Sequence, residues 1–218
     1  MDKGGSVGGW GRWRKRTMAV FKRLEEHVHE WEEASERSRH VATGLVNSIL
    51  ELERLDLSTS WEKLAGDEVP ALMERIEGKM WNEIYTHNDM LQQELAALGL
   101  IVARMQLVMS DMDDIVCMAS RESQEEEEEE EEGGERPLFL VSSLPTIADR
   151  MRAVVEQHEE DLKLKCAMAV DMPSRRERVV LTAYLSAWTL QVMIDSSEVK
   201  ELSSMLEAES VLAGVKGP

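Results

Sequence analysis

Two segments of the chain carry apolar or small residues at alternating spacings of three and four, the pattern that keeps side chains on one face of a helix. The first stripe predicts a long first helix, and it runs through Phe21, Leu24, Val28, Trp31, Ser35, Ser38, Ala42, Leu45, Ile49 and Leu52. Its small residues lie at the middle of the stripe, so a second helix could approach closely there.

The second stripe predicts another long helix and is the strongest signal in the sequence, because it holds one heptad register for five repeats. Its members are Trp81, Ile84, Asn88, Leu91, Leu95, Leu98, Val102, Met105, Met109, Met112 and Val116. Ile101, Val108 and Ile115 add apolar side chains at the neighbouring g positions. Because this widens the apolar face beyond a two-stranded seam, we expect a bundle rather than an isolated dimeric zipper.

The remaining segments are shorter. Residues 57–78 predict a connecting loop with a short helix at 71–77, and residues 137–141 a short extended apolar piece. Thr146 is the predicted cap of a third helix, and Asp195 with Glu198 a capping pair for a last helix. The inner face of the third helix is predicted to contain Ala148, Met151, Val155, His158, Leu162, Cys166 and Ala169.

These elements predict an all-α protein with a long antiparallel coiled-coil hairpin and a smaller C-terminal helical module. The expected division is a disordered basic tail over 1–16, the helical hairpin over 17–120, an acidic linker over 121–136 and the C-terminal module over 137–214. A heptad pattern is satisfied equally by a helix of the same chain, a second copy or a foreign helix. The sequence therefore leaves self-association open.

The chain is acidic, and its negative charge limits the classes of molecule that it is expected to bind. Its 25 Lys and Arg residues against 43 Asp and Glu residues give a net charge of −18, with eight consecutive glutamates at Glu125–Glu132. Such a surface repels nucleic acid, so tight DNA or RNA binding by the folded part is not expected. The glutamate run predicts a solvated spacer, with binding of a histone or ribosomal protein as the functional alternative.

Motifs of catalysis and of metal binding are missing from the sequence. It has no GxxxxGK[ST], GxGxxG, HExxH or GxSxG pattern, so neither an enzyme nor a cofactor is expected. His27 and His29 are two residues apart and would point to different helix faces, so no metal site is expected there. Cys117 and Cys166 are predicted as buried thiols in a reducing compartment.

Targeting signals are also missing. No stretch approaches the roughly 20 apolar residues of a membrane span, and the N-terminus lacks the apolar core of a signal peptide. We therefore expect no membrane partner and a cytosolic or nuclear location. The segment Trp10–Arg16 combines basic residues with tryptophans, which is compatible with a nuclear address or a weak nucleic-acid contact.

Four short motifs in the C-terminal part resemble the cyclin-dependent kinase 2-interacting protein family. They are Arg136-Pro137-Leu138-Phe139 followed by Pro145-Thr146, Asp161-Leu162-Lys163-Leu164-Lys165, Tyr184-Leu185-Ser186-Ala187-Trp188, and the segment from Leu202 to Leu206. The resemblance covers roughly 80 residues well, and it extends less specifically to the middle helix and to Trp31.

The resemblance implies a small nuclear adaptor, with the cytoplasm as a further location. It implies links to cell-cycle kinases, DNA replication and checkpoint signalling. It also implies membership of an assembly with two AAA-type ATPases and a second small helical adaptor, acting in late ribosome maturation and replisome protein turnover. None of these implications follows from the periodicity of the chain.

The heptad stripes and the resemblance together give the candidate partner-binding residues. These are Trp31, Leu45, Leu95, Leu98, Val102, Met105, Met109, Pro137, Leu138, Phe139, Tyr184, Leu185 and Trp188. Two alternatives to an adaptor remain. One is a nucleic-acid-associated factor that uses the basic N-terminal tail, and the other is an acidic chaperone for histones or ribosomal proteins.

Overall fold

The computed structural model describes residues 7–57, 69–129 and 143–212, and within these ranges the regular elements are all helical. Five α-helices follow one another, namely α1 Val7–Leu57, α2 Val69–Glu129, α3 Leu144–Asp171, α4 Arg178–Leu190 and α5 Ser196–Leu212. A turn of 3-10 helix, Met172–Ser174, separates α3 from α4. The predicted class is confirmed: an all-α protein with a hairpin of two long helices and smaller C-terminal helices.

The described helices pack as two compact units, and each long helix contributes a segment to both. One unit contains α1 through Glu30, α2 from Ile101, α3 through Glu159, and α5. The other contains α1 from Trp31, α2 through Leu100, α3 from Glu160, and α4. The structure therefore groups the helices differently from the predicted hairpin over 17–120 and module over 137–214. The apolar faces of α1 and α2 are too wide for one seam, and the C-terminal helices cover part of them.

In the first unit, ion pairs show that α1 and α2 are antiparallel. Arg23 pairs with Asp111 at 2.5 Å, while Glu30, further along α1, pairs with Arg104, which precedes Asp111 on α2. Helix α5 is held to α3 through Gln157, whose amide nitrogen donates to Glu198 at 3.0 Å and whose amide oxygen accepts from the Asp195 backbone N–H at 2.8 Å.

In the second unit the same antiparallel direction is seen. Arg37 Nε donates to Glu94 Oε2 at 3.3 Å, and Ser48 Oγ lies 3.3 Å from His87 Nδ1. The two helices approach closely at Gly44, where a Cβ atom would lie only 2.7 Å from His87 Nε2. Glycine is therefore required at this position unless the imidazole moves.

Burial confirms the two predicted stripes almost completely. Among their members only Val28, Asn88 and Val116 are half-buried, and Trp81 is exposed. The g-position residues Ile101, Val108 and Ile115 are all buried. The sequence prediction of a bundle in place of a two-stranded zipper is thus confirmed, because α2 is covered over a face wider than one seam.

Several predicted boundaries are wrong. Helix α1 begins at Val7, so residues 7–16 are its first turns and not a tail. Helix α2 begins at Val69 and continues to Glu129, so the start of the predicted linker is helical and residues 71–80 belong to the long helix. Residues 1–6, the predicted loop over 58–68, the end of the acidic run and the extended piece at 137–141 lie outside the described residues.

The helix caps were partly predicted. Asp195 caps α5 as expected. Its Oδ1 accepts hydrogen bonds from the Ser197 hydroxyl at 2.7 Å and from the Ser197 backbone N–H at 2.9 Å, and these two bonds lower the pKa of Asp195. The cap of α3 is Ser143 and not Thr146, because Ser143 Oγ accepts the Thr146 backbone N–H at 3.3 Å. Both hydroxyl residues fit the composition of a cap, and the helix starts one turn earlier than predicted.

The predicted burial of the two cysteines is wrong, because Cys117 and Cys166 are both exposed. On α3 the reason is a shift of the buried face. Asp161 and Lys165 are fully buried, whereas Leu162, one residue further on than Asp161, is half-buried. Charged residues were not expected in the core, so Leu162 and Cys166, each one residue further on, were predicted there instead. His158, predicted as a core or boundary histidine, is buried.

Candidate functional site

A lysine side chain is buried between two tryptophans in the second unit. Lys165 Nζ lies 5.5 Å from the ring centroid of Trp31 and 5.9 Å from that of Trp188. All three residues are almost completely shielded from solvent. An ammonium group near an indole face is stabilised by about 0.5–2 kcal/mol. The two indoles therefore offset part of the cost of burying this charge.

Asp161 supplies the counter-charge one helical turn before the lysine. Its Oδ2 accepts a hydrogen bond from Lys165 Nζ, and both side chains are buried. Burial lowers the pKa of Lys165, while the hydrogen bond and the charge of Asp161 act in the opposite direction. The other carboxylate oxygen, Asp161 Oδ1, has no hydrogen-bond partner among the described residues. Because desolvation of such a pair is costly, we expect it to specify the arrangement of the helices more than to stabilise it.

Each of the two indole N–H groups joins α1 to the region of α4. Trp188 Nε1 donates to Ser38 Oγ at 3.0 Å, and Trp31 Nε1 donates to Gln191 Oε1 at 3.2 Å. Gln191 ends α4 in the left-handed conformation, with φ 47° and ψ 55°. The close approach predicted at the small residues of α1 is therefore made by a tryptophan side chain of α4.

Tyr184 fixes the connection between α3 and α4. Asp171 Oδ2 accepts hydrogen bonds from Arg175 Nε and from Tyr184 OH, each at 2.6 Å. The bond from Arg175, and then that from Tyr184, lowers the pKa of Asp171. The hydrogen bond to Asp171 also raises the pKa of Tyr184. This network lies at the end of α3 and holds the start of α4 against it.

Most of the predicted partner-binding residues lie inside the chain. The buried ones are Trp31, Leu45, Leu95, Leu98, Val102, Met105, Met109 and Trp188. Tyr184 and Leu185 are half-buried, and Pro137, Leu138 and Phe139 lie outside the described residues. Internal packing accounts for the apolar pattern of the buried set without any partner. A binding surface must therefore be sought among exposed residues.

The outer face of α4 is exposed and carries no charge. Val179 is 82% exposed and Leu190 72%, and Ala183 and Ser186 between them are exposed as well. No charged residue occurs from Val179 through Ile194. Periodicity alone did not identify this face, because apolar residues occur on both sides of α4 and the spacing does not say which side is covered. The signal that could have found it is the run of uncharged residues itself.

A smaller exposed cluster lies near the start of α2. The rings of Trp81 and Tyr85 are 6.0 Å apart, and the guanidinium of Arg176 lies 5.4 Å from the Trp81 ring centroid. Both aromatic residues are exposed. Arg176 already covers one face of Trp81, so part of this aromatic surface is occupied within the chain.

The basic start of α1 is engaged by α2 in the first unit. Trp13 Nε1 donates to Glu122 Oε2 at 2.5 Å, and Arg12 Nη2 lies 2.6 Å from Glu122 Oε1. The guanidinium groups of Arg12 and Arg16 each lie 5.0 Å from the Trp13 ring centroid. Trp13 is buried. Part of the segment that is compatible with a nuclear address or a nucleic-acid contact is therefore used in packing within the chain.

The titratable side chains were compared with the requirements of a metal site and of a site open to a substrate. Among the residues that the structure describes, no group of three or more His, Cys, Asp and Glu side chains could hold a metal ion. His158 Nδ1 lies 2.7 Å from the Val154 carbonyl on its own helix. Asp161 and Lys165 are enclosed by protein, so the buried ion pair is closed to a substrate.

One stretch of α2 is more apolar than the sequence analysis expected, since no segment was predicted to approach the length of a membrane span. Within residues 71–122 the helix is long and apolar enough to cross a membrane by length and composition alone. In the structure 44% of its most apolar window is buried by other helices. The wide apolar face, with residues at a, d and g positions, raises the mean hydropathy of α2. Packing against other helices explains this composition.

Residues from two of the four motifs that carry the family resemblance meet at the buried cluster, together with Trp31. Asp161 and Lys165 belong to one motif, Trp188 to another, and Trp31 to the less specific part of the resemblance. The segment from Leu202 to Leu206 does not contribute to it, and residues 136–139 lie outside the described residues. Comparison with models of known families gives no match for this chain, and comparison with characterised proteins gives no relative.

Proposed function

We propose that the protein is a non-catalytic nuclear adaptor like members of the cyclin-dependent kinase 2-interacting protein family. In this role it links cell-cycle kinases to DNA replication and checkpoint components. It also serves as a subunit of an assembly with AAA-type ATPases that acts in ribosome maturation and replisome protein turnover. The chain contributes binding surfaces, and its partners carry out the chemistry.

The observation that carries this proposal is the convergence of separate sequence motifs on one packed cluster. Trp31, Lys165 and Trp188 come from distant parts of the chain and are in contact through the lysine ammonium. A resemblance confined to scattered short motifs gains weight when those motifs share a physical role. Here the shared role is to hold α4 on α1, which leaves the outer face of α4 exposed for a partner.

Co-purification from cells tests the proposal. The tagged chain is isolated from nuclear extract, and the bound proteins are quantified by mass spectrometry against a tag-only control. We expect AAA-type ATPase subunits and cell-cycle kinase components in the bound fraction. Absence of both, with the tagged chain folded by circular dichroism, would contradict the proposed function.

A matched pair of variants on α2 separates folding from binding. Leu98 is fully buried and Leu107 is 68% exposed. Leu98→Asp places a charge in the core, so we expect loss of helicity and of every partner. Leu107→Asp is expected to keep its helical signal and the bound ATPase. Binding that survives Leu98→Asp would show that the bundle does not carry the interaction.

The nucleic-acid alternative is testable without disturbing the packing of Trp13. Arg14→Gln and Lys15→Gln together remove two positive charges from the start of α1 and keep Arg12 and Arg16, which lie against the Trp13 ring. If the protein is an adaptor, wild type and variant should show equally weak binding to a labelled single-stranded oligonucleotide. Tight binding by the wild type that is lost in the variant would favour the alternative.

A further inference from the structure

Helix α4 is held in its unit by few buried side chains. Among its 13 residues only Leu181 and Trp188 are buried. Helix α3, by contrast, buries at least one side chain in every turn from Leu144 to Ala169. Segments with few buried apolar contacts open locally at a lower free energy than the rest of a fold. The packing of α4 therefore favours opening of this helix on its own.

The chain is fixed to α3 on both sides of α4. Before α4, Arg175 Nε donates to Asp171 Oδ2 at 2.6 Å, and after α4 the Asp195 backbone N–H donates to Gln157 Oε1 at 2.8 Å. The 13 residues of α4 span about 20 Å as a helix and about 40 Å when extended. Helix α4 can therefore leave α1 by unwinding while both connections stay in place.

The side chain of Trp188 covers the buried lysine. Lys165 Nζ lies 5.9 Å from the Trp188 ring centroid and donates a hydrogen bond to Asp161 Oδ2. Asp161 Oδ1 is buried without a hydrogen-bond partner among the described residues. Removal of Trp188 by unwinding of α4 admits water to this ion pair, and the free energy of desolvation is then recovered. The closed state thus carries a cost that the open state lacks.

The end of α4 is strained. Gln191 has a φ of 47°, and among the described residues other than glycine it alone has a positive φ. Residues with a Cβ rarely adopt this left-handed conformation. The Gln191 side chain accepts a hydrogen bond from Trp31 Nε1 at 3.2 Å, so a contact with α1 holds the strained residue in place. Strain of this kind is concentrated at sites that switch between two states.

We propose that α4 is a strap that opens by unwinding while α1, α2 and α3 stay folded, and that its opening exposes the side-chain amine of Lys165. Burial of Leu181 and Trp188 favours the closed state. Hydration of the Asp161–Lys165 pair and release of Gln191 favour the open state. The strap does not rest on the adaptor function proposed above, and it gives the chain a second state in which a buried amine meets solvent.

Amide hydrogen exchange of the full chain tests whether α4 opens by itself. We expect the amides of α4 to share one opening constant that is larger than that of the α3 amides. This constant should change little at low urea concentrations, because local opening exposes little surface. Exchange of α4 at the same rate and with the same urea dependence as α3 would show that only global unfolding opens it, and would overturn the proposal.

Acylation of Lys165 tests whether the opening exposes the amine. The probe is N-hydroxysuccinimidyl acetate: Nζ attacks its ester carbonyl, the amide bond forms as N-hydroxysuccinimide leaves, and the nitrogen loses a proton. Lys163, which is exposed on the same helix, is the reference. We expect Lys165 to be labelled more slowly than Lys163, by a factor close to the opening constant of α4. Labelling as fast as that of Lys163, or only as fast as exchange of the α3 amides, would contradict the strap.

A pair of leucine variants separates opening of α4 from unfolding of the bundle. Leu181 in α4 and Leu91 in α2 are both fully buried. Leu181→Ala is expected to raise the opening constant of α4 and the labelling of Lys165 about thirtyfold or more. Leu91→Ala should leave both unchanged, although it makes the whole chain easier to unfold with urea. An equal rise in both variants would show that exposure of Lys165 requires unfolding of the bundle.

A milder pair decides the question even if Leu181→Ala does not fold. Ala183 in α4 and Ala96 in α2 are both exposed within a helix, so glycine removes helix propensity and no packing at either position. Ala183→Gly is expected to raise the opening constant of α4 and the labelling of Lys165 about fivefold. Ala96→Gly should change neither. No rise with Ala183→Gly, or the same rise with Ala96→Gly, would overturn the proposal.

Discussion

The indole nitrogen of Trp188 donates a hydrogen bond of 3.0 Å to the hydroxyl of Ser38, 150 residues earlier in the chain. The same hydroxyl donates to the Ser35 carbonyl at 2.8 Å. Both polar groups are therefore satisfied in a fully buried position. This bond, together with the packing of the indole, fixes α4 on α1 and determines which side of α4 faces outward.

Substitution of Trp188 should separate the hydrogen bond from the packing. Trp188→Phe keeps an aromatic ring and loses the donor, so we expect the free energy of unfolding to fall by about 1 kcal/mol. Trp188→Ala also leaves a cavity and is expected to cost roughly 3–5 kcal/mol. Urea denaturation followed by circular dichroism measures both. A double variant with Ser38→Ala should cost less than the sum of the two single changes, and strict additivity would show that the bond contributes nothing.

Removal of one partner of the Asp161–Lys165 pair should lower the free energy of unfolding much more than replacement of both. Lys165→Met leaves the Asp161 carboxylate buried without its partner, and we expect a loss of roughly 3–5 kcal/mol in the free energy of unfolding. The double variant Asp161→Leu with Lys165→Met removes both charges and is expected to lie within about 1 kcal/mol of the wild type or above it. Chemical denaturation of the three proteins measures this. A double variant as unstable as the single one would argue that the pair itself stabilises the fold.

The same lysine gives a pH dependence with a defined sign. In the unfolded chain Lys165 keeps its proton up to its ordinary pKa of 10.5, whereas burial lowers its pKa in the folded protein. Between these two values the unfolded state binds more protons, so this group makes the protein more stable as pH rises. The wild type should therefore gain stability relative to Lys165→Met as pH rises toward the ordinary lysine pKa of 10.5. A relative loss of stability as pH rises would contradict the lowered pKa of Lys165.

Gly44 and Gly99 should respond in opposite directions to the same change. A Cβ at Gly44 would lie 2.7 Å from His87 Nε2, whereas a Cβ at Gly99 would meet only Leu162 Cδ2 at 4.0 Å. Alanine favours a helix over glycine by about 1 kcal/mol. We expect Gly99→Ala to raise the melting temperature and Gly44→Ala to lower it, since the imidazole must move. Combining Gly44→Ala with His87→Ala should recover part of the loss in melting temperature. No recovery would show that contact with the His87 imidazole is not its cause.

Removal of the Tyr184 hydroxyl should raise the pKa of Asp171. Tyr184→Phe removes one of the two hydrogen bonds that lower the pKa of Asp171, so that pKa should rise toward its ordinary value of 3.8. A carboxylate with a lowered pKa stabilises the fold above its unfolded pKa, and this contribution is lost as pH falls. The variant should therefore lose this contribution at a higher pH than the wild type during acid titration. Carboxyl carbon NMR titration measures the pKa directly, and an unchanged value would rule out the hydrogen bond in solution.

The long helices were predictable because burial follows their apolar pattern. The register of α2, including Ile101, Val108 and Ile115 beside the main stripe, was enough to predict a bundle. The buried face of α3 was not predictable in the same way. Asp161 and Lys165 become compatible with the interior only through each other and through two tryptophans from other helices. Sequence periodicity contains no information about such tertiary pairing.

The candidate site was predictable only in part, for a related reason. Trp31 and Trp188 were selected as important positions, and the structure places both at the buried cluster. The sequence could not say whether an apolar stripe is covered by the same chain or by a partner, since both satisfy the heptad pattern. The exposed stripe on α4 and the buried one have similar spacing, and only packing distinguishes Leu190 from Trp188.

Coverage of the heptad stripes by helices of the same chain leaves the exposed faces for the binding of partners. Sedimentation equilibrium combined with urea denaturation at two protein concentrations tests it most directly. We predict the mass of a single chain and an unfolding midpoint that does not change with concentration. A dimer whose midpoint rises with concentration would show that the stripes are covered by a second copy, and would contradict the account.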